Sequence, residues 1–271
     1  MEDNNPVRVF YETKFNEDER EGRETLEFTR TKAIIARYLS KEVMEIADVC
    51  GATGAYSFWL AGMGHRVHLL DLARNHIELA LEKSKGSGIS LASYVCGDAR
   101  CLPYENGSMD MVLLMGALYH LRSAEARLRC LKEAYRVLRP GGQLLCTVIS
   151  RYVDIISTLK FNLFDVRGVD ITDLEAALHS GVPRRVNLPS VYCHTPDGIR
   201  DEMTSAGFEN PVLIAVEGIA NPLGKNSLPD DETEATRLLQ CIELTESIPD
   251  LLGVSRNIMA VGRKPTHLAG Q

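Results

Sequence analysis

From Ile46 to Tyr56 the chain reads Ile-Ala-Asp-Val-Cys-Gly-Ala-Thr-Gly-Ala-Tyr, an apolar run that breaks into a small-residue turn with a helical pattern directly behind it. That order predicts a strand, a tight loop and a helix N-terminus. Small residues let a ligand approach the loop backbone, and the helix start presents unpaired N–H groups to it. Val67-His68-Leu69-Leu70-Asp71 then reads as a second strand ending in a carboxylate. It follows the glycines by about 20 residues, where folds of this kind hold a ribose. Together the two segments point to a site for a nucleoside-bearing ligand.

The rest of the chain fits such a fold. Strand patterns at 44–49, 66–70, 91–95, 109–115 and 143–148 alternate with helical ones. A helix over Glu24 to Leu39 carries Leu26, Ala33 and Ile34 on one stripe, and Arg30 shares that stripe. An arginine facing inward needs an anionic partner. Arg74 to Lys85 is helical in pattern and stops at Gly86-Ser87-Gly88, while Ser123 can cap a helix that Pro140-Gly141-Gly142 ends. The alternation implies a parallel sheet with right-handed crossovers that binds ligands at the carboxyl ends of its strands. From Arg151 to His194 no strand pattern is present, and the segment is too long for a plain connection. Regular patterns resume as a helix near 196–206, a strand at 211–216, a helix near 231–247 and a strand at 256–262.

The loop register narrows the ligand. A dinucleotide site wants G-x-G-x-x-G, and Cys50-Gly51-Ala52-Thr53-Gly54 contains no G-x-G. The loop instead resembles motif I of the class I S-adenosylmethionine (SAM) methyltransferases, D-x-G-x-G-x-G in shape, with Cys50 and Ala52 where glycine is usual. Three further segments resemble that family in order and spacing. They are Tyr94-Val95-Cys96-Gly97-Asp98-Ala99, the run MDMVLLMGALYHL from Met109 to Leu121, and Leu128 to Gly142, which ends RVLRPGG. The resemblance covers roughly Tyr11 to Lys264. Leu251-Leu252-Gly253-Val254-Ser255 before the last strand is similar to a bacterial group of single-domain members with small-molecule acceptors.

This resemblance implies a Rossmann-like α/β fold with a mostly parallel seven-stranded sheet in a single domain. Residues 1–40 would form an N-terminal helical cap, 41–150 the SAM-binding core, 151–195 a lid or acceptor-pocket insertion, and 196–264 the C-terminal part of the sheet. It further implies that Gly51 and Ala52 meet the methionine part of SAM through backbone atoms, and that Asp71, with Leu72 beside it, takes the ribose hydroxyls. Asp98 and Ala99 would meet the adenine, while Met115 and Gly116 would pack against the ligand at the end of the fourth strand. Tyr11 and Arg30 would come from a segment folded over the cofactor, Arg30 either on the SAM carboxylate or in a structural ion pair with an acid such as Glu27. Asp48 would either face the ligand or serve the loop itself by bonding its backbone N–H groups, and Cys50 would be a small filler, since methyl transfer needs no covalent enzyme intermediate.

Methyl transfer from a sulfonium is an in-line displacement, so positioning and exclusion of water should dominate. A base is needed only when the acceptor arrives protonated. Tyr119 and His120 follow Gly116 at the expected mouth of the site, and His120 is the candidate to orient or deprotonate an acceptor. His179, Tyr192 and His194 are candidates for the acceptor wall. The expected product is S-adenosylhomocysteine.

Composition excludes some partners. A formal net charge of −7 lacks the basic footprint of a nucleic-acid binder, and Arg184-Arg185 is the one notable basic cluster in the acceptor region. The N-terminus has no apolar signal region, and the longest apolar stretch is too short to span a bilayer. Seven scattered cysteines without C-x-x-C spacing fit reduced thiols in the cytoplasm, with no zinc site; no acidic cluster suits magnesium. The expectation is a cytoplasmic enzyme with a small-molecule partner and neither nucleic acid nor membrane. Two other classes remain: a non-catalytic SAM-binding protein, which would lack an acceptor pocket, and a nicotinamide-dependent oxidoreductase, which would require the absent glycine pattern.

Overall fold

The computed structural model describes residues 6–14, 25–183, 188–224 and 227–266; Arg184 and Arg185 lie outside them. The first strand, β1 (Glu45–Val49), is buried over its last four residues because neighbours flank it on both sides. It pairs in parallel with β2 (Arg66–Asp71) and with β4 (Met109–Leu114), and β2 pairs in parallel with β3 (Ser93–Cys96). Such inner strands, covered on both faces, read as continuous apolar runs. The next strand, β5 (Leu138–Ile149), joins β4 in parallel, while β7 (Asn257–Arg263) runs antiparallel between β5 and β6 (Glu209–Ala215). The order is β3-β2-β1-β4-β5-β7-β6, the seven-stranded, mostly parallel sheet expected.

Helices cover both faces. On one lie α2 (Leu26–Ala36), α3 (Ala55–Gly62) and α4 (Arg74–Ser87), which send Ile34, Leu60 and Ile77 against Ile46, Leu69 and Met111. On the other lie α5 (Ala124–Val137) and α9 (Pro196–Ser205), with Leu131, Ala134, Ile199 and Met203 against Val112, Leu144 and Phe208. The Ser123 hydroxyl accepts a bond from Ala126 N, so the expected cap is present.

At Pro140-Gly141-Gly142 the strand begins earlier than its sequence pattern indicates. Leu138 already pairs with Met109, and the register then skips to Gln143 opposite Met111, so the turn is absorbed as a bulge within β5. Only glycine fits there: a Cβ on Gly142 would sit 2.9 Å from the Arg139 carbonyl oxygen and 3.0 Å from that of Asp110.

Past β5 the stretch without strand pattern folds as α6 (Val153–Phe161), α7 (Leu163–Arg167) and α8 (Ile171–Ser180). The chain returns to the sheet edge at His194, which bridges Ser150. The remaining helices are α10 (Glu232–Thr245) and α11 (Pro249–Leu252). An N-terminal helix, α1 (Pro6–Thr13), docks on the start of α4, where the Glu12 carboxylate accepts from Arg74 N at 3.1 Å and Asn75 donates to the Tyr11 carbonyl at 3.1 Å. Among the described residues no helix is long and apolar enough to cross a membrane.

Candidate active site

A cavity of about 960 Å³ opens at the carboxyl ends of β1, β2, β3 and β4, with α1 across it. Its floor is the loop after β1. Cys50 N and Gly51 N both donate to the Leu70 carbonyl, at 2.7 and 3.3 Å, which folds the loop back over β2. Cys50 and Ala52 adopt φ of 59° and 49°, so two non-glycine residues hold the left-handed conformation that glycine adopts without steric cost. Gly51 admits no substitute, since a Cβ would lie 2.6 Å from both an Asp48 carboxylate oxygen and Leu69. Asp48 is buried and accepts the Ser57 hydroxyl at 2.6 Å, tying β1 to α3 beneath the loop. Burial pushes the Cys50 thiol well above its ordinary range, with Asp71 adding to the effect; it is a filler that stays protonated.

Asp71 ends β2 beside this floor. One carboxylate oxygen accepts from Ala52 N at 2.9 Å; the other accepts from Ala73 N at 2.9 Å and from His76 at 3.1 Å. The carboxylate thus braces the loop and the start of α4 together. A carboxylate offers about four acceptor positions, so these three bonds leave room for one more donor, at the oxygen that faces Ala52. Two simultaneous ribose hydroxyls, as the resemblance implies, exceed that. Asp98 also lines the cavity and is gripped by Arg100, whose guanidinium donates to both of its oxygens at 2.5–3.1 Å while Arg100 N donates at 2.8 Å. Burial raises the Asp98 carboxyl, but the bonds from Arg100 outweigh it and hold the group below the usual carboxylate range. Leu72, Ala99, Met115 and Gly116 all line the same cavity.

In the same cavity, the turn after β4 carries Leu118–His120 as a single 3₁₀ turn. The His120 Nδ1 lies 3.1 Å from the Pro189 carbonyl, and a carbonyl only accepts, so Nδ1 bears the proton. In the neutral ring Nε2 is then an acceptor, and the Tyr11 hydroxyl donates to it at 2.9 Å. Burial lowers the His120 pKa below the ordinary imidazole value, against smaller opposing effects from Pro189 and Asp71, and keeps the ring neutral at pH 7. Tyr11 lines the cavity, and its hydroxyl is bonded to His120, 109 residues away in sequence. The turn is clamped from behind: Tyr192 N donates to the Tyr119 carbonyl at 2.8 Å and the Ser190 hydroxyl to the His120 carbonyl at 3.0 Å.

Four expected site residues lie elsewhere. Arg30 is fully buried on α2 and outside the cavity; it donates to Val216 O at 3.2 Å and to Glu243 at 3.1 Å, and it pairs with Glu246. Its apolar stripe signalled an inward charge correctly, but the stripe faces α10, so the anion is supplied by α10 and is neither the cofactor nor Glu27. His194 is buried and donates to Glu202 on α9 at 3.2 Å, pinning the returning segment to that helix. The Tyr192 ring stacks with the Arg127 guanidinium at 3.6 Å, its hydroxyl accepts from Arg151 at 3.1 Å, and it does not line the cavity. His179 is exposed at the end of α8.

Sequence reasoning missed Glu27, Phe28, Tyr56, Arg100 and Ser190, all of which line the cavity. Arg100 was within reach, because Asp98 and Arg100 stand two apart in one turn. Glu27 and Phe28 lie off the stripe from which α2 was read, and nothing local announces that their side of the helix faces a cavity.

Residues 47–146 match a family model described as a methyltransferase domain. The chain is 35% identical over 124 residues to the demethylmenaquinone methyltransferase of Lactococcus lactis, covering 45% of this chain and 48% of the relative. It is 29% identical over 177 residues to a ubiquinone/menaquinone biosynthesis C-methyltransferase of Haemophilus ducreyi, covering 61% and 64%. The chain therefore spans about half to two thirds of the length of these relatives. In fold it is similar to a SAM-dependent methyltransferase from Methanosarcina mazei, with a TM-score of 0.57, 19% identity and coverage of 86% of this chain and 98% of that one. A Thermotoga maritima SAM-dependent methyltransferase, described as a possible histamine N-methyltransferase, gives a TM-score of 0.58 at 16% identity, covering 96% and 100%.

Proposed function

We propose that this chain, which carries the class I SAM-dependent methyltransferase fold, transfers a methyl group from SAM to a small-molecule acceptor. The residues present suit that cofactor. Gly51 keeps a bare backbone at the cavity floor, and Asp71 retains one acceptor position for a ribose hydroxyl. Asp98 and Ala99 would flank the adenine; Leu72, Met115 and Gly116 would supply the apolar contacts between the two ends. SAM supplies a methyl group on a positively charged sulfur, already activated for displacement.

The observation that carries the reading is the Tyr11–His120 pair in the wall of the cavity, with Nδ1 engaged by Pro189 and Nε2 accepting from Tyr11. A non-catalytic SAM-binding protein has no use for a neutral histidine held this way beside the cofactor zone. An acceptor hydroxyl would give its proton to the Tyr11 oxygen as Tyr11 gives its own to His120 Nε2, and the resulting imidazolium keeps its Nδ1–H on Pro189. Base assistance of this type contributes typically ~10²–10⁴-fold. For the acceptor class we infer a flat ring bearing hydroxyl groups. The named relatives act on demethylmenaquinone and in ubiquinone/menaquinone biosynthesis, and Tyr11 and Tyr119 bring aromatic rings to this cavity next to His120.

The test is direct. SAM and S-adenosylhomocysteine should each raise the melting temperature by mass action, and NAD should not. With methyl-labelled SAM and a reduced demethylated quinone, label should appear in the ring product, and Tyr11→Phe and His120→Ala should each lower turnover while S-adenosylhomocysteine affinity stays near wild type. Stabilisation by NAD alone would refute the reading.

A further inference from the structure

The cavity carries an acid that the reaction scheme leaves unused. Glu27, in the first turn of α2, lines the cavity with Phe28, as do the loop residues Gly51 and Ala52 and the start of α3 at Ala55 and Tyr56, and Phe28 meets Tyr56 ring to ring. Glu27 has no hydrogen-bond or ion-pair partner among the described residues. The cations nearby are engaged elsewhere. Arg30 is turned to α10, and Lys32 sits 5.2 Å from the ring centres of both Phe28 and Trp59. Behind Glu27 stands a second carboxylate, Glu217, 5% exposed, whose donors are the Ser255 hydroxyl at 2.9 Å and Asn257 N and Nδ2 at 2.9 and 2.7 Å, all neutral. Burial raises the Glu217 pKa and the charge of Glu27 raises it further, so the two acids sense each other, while the cation whose charge Glu217 shares is Lys160 on α6. Beside Glu27 in sequence, the Phe28 ring lies 5.2 Å from that of Tyr56, centre to centre. Carboxylate and aromatic face together are the surroundings that favour an alkylammonium.

We propose that Glu27 forms the anionic wall of an ammonium subsite at the loop end of the cavity, and that the α-ammonium of SAM occupies it. The inference rests on the methyltransferase reading, because Gly51 and Ala52 mark the methionine end only if SAM is the ligand. Glu27 is then a binding residue and takes no part in proton transfer.

The experiment is a calorimetric double-mutant cycle on the full chain, with wild type and Glu27→Gln each titrated with S-adenosylhomocysteine and with its des-amino analogue. A charged hydrogen bond lost on truncation weakens binding by roughly 10- to 100-fold. Wild type should therefore prefer S-adenosylhomocysteine over the analogue by about that factor, and Glu27→Gln should lose most of the preference while binding the analogue as wild type does. An unchanged preference in Glu27→Gln overturns the subsite, and so does equal weakening toward both ligands, which is the signature of a packing role. If Glu27 only complements the helix dipole, the unliganded variant melts lower and the preference survives, which also overturns it. A wild-type chain that binds neither nucleoside refutes the methyltransferase reading and the subsite with it. As a second variant, Glu27→Asp keeps the charge and should keep part of the preference.

Discussion

Replacing Arg30 by methionine separates a structural ion pair from a cofactor contact. The side chain is fully buried and donates to the Val216 carbonyl, Glu243 and Glu246, tying α2 to α10 and to the end of β6. Methionine preserves most of the volume, so the loss is chiefly electrostatic. Deleting one partner of a buried pair costs ~3–5 kcal/mol, because the other charge stays buried. Two features place Arg30→Met at the lower end of that range. Arg37 also pairs with Glu246 and remains in the variant, and the Glu243 side chain is 47% exposed and rehydrates. About 3 kcal/mol, at ~2–4 °C per kcal/mol for a large domain, lowers the melting temperature by roughly 6–12 °C. Calorimetry or denaturant unfolding would measure it. S-adenosylhomocysteine affinity, titrated well below the midpoint, should stay within about twofold of wild type. Arg30→Met combined with Glu246→Gln should be less destabilising than the sum of the single changes, as expected for groups in contact. A variant that melts like wild type yet binds the ligand more than about tenfold more weakly would return Arg30 to the cofactor and refute this reasoning.

Three further outcomes are expected. Burial raises the Glu202 carboxyl, but donation from His194 and Arg127 outweighs it, so the folded pKa lies below the unfolded one; its stabilising contribution is present above ~4.3 and lost as pH falls through the folded value. Melting curves from pH 6 down to about 3 should accordingly fall less steeply in Glu202→Gln than in wild type. His120 has a folded pKa below the ordinary ~6.5, so turnover on a protonated acceptor should hold through that pH and decline only below it, and His120→Ala should flatten that acid limb. Within the loop, Ala52→Gly removes a left-handed alanine and should stabilise the chain by up to ~1 kcal/mol, whereas Gly51→Ala drives a methyl into Asp48 and Leu69 and should cost ~1–3 kcal/mol with loss of nucleoside binding. Thermal melts and S-adenosylhomocysteine titration of the two variants check both signs.

What the sequence determined by itself is the frame. Local composition and periodicity specify short-range structure, so the strand, loop and helix from Ile46 to Tyr56, the strand ending at Asp71, the cap at Ser123 and the order of the central elements were all legible. The resemblance added the last two strands as sheet members, and their antiparallel order is a property of the assembled sheet. Tertiary structure alone decided the partners. The stripe on α2 showed that Arg30 points inward, but only the packing of α10 against it supplied Glu246, 216 residues along the chain. Asp71 was legible as a strand-terminal acid; that its oxygens already hold Ala52 N, Ala73 N and His76 depends on how the loop folds back over β2. Tyr11, His120 and Pro189 come from a helix, a turn and a returning segment that share no local pattern, and their hydrogen bonds set which nitrogen of His120 carries the proton. A periodic pattern records which face of an element is buried. Which group lies across that face is settled only when distant elements pack, because burial leaves each charge and donor to find its complement wherever the fold brings one within about 3 Å.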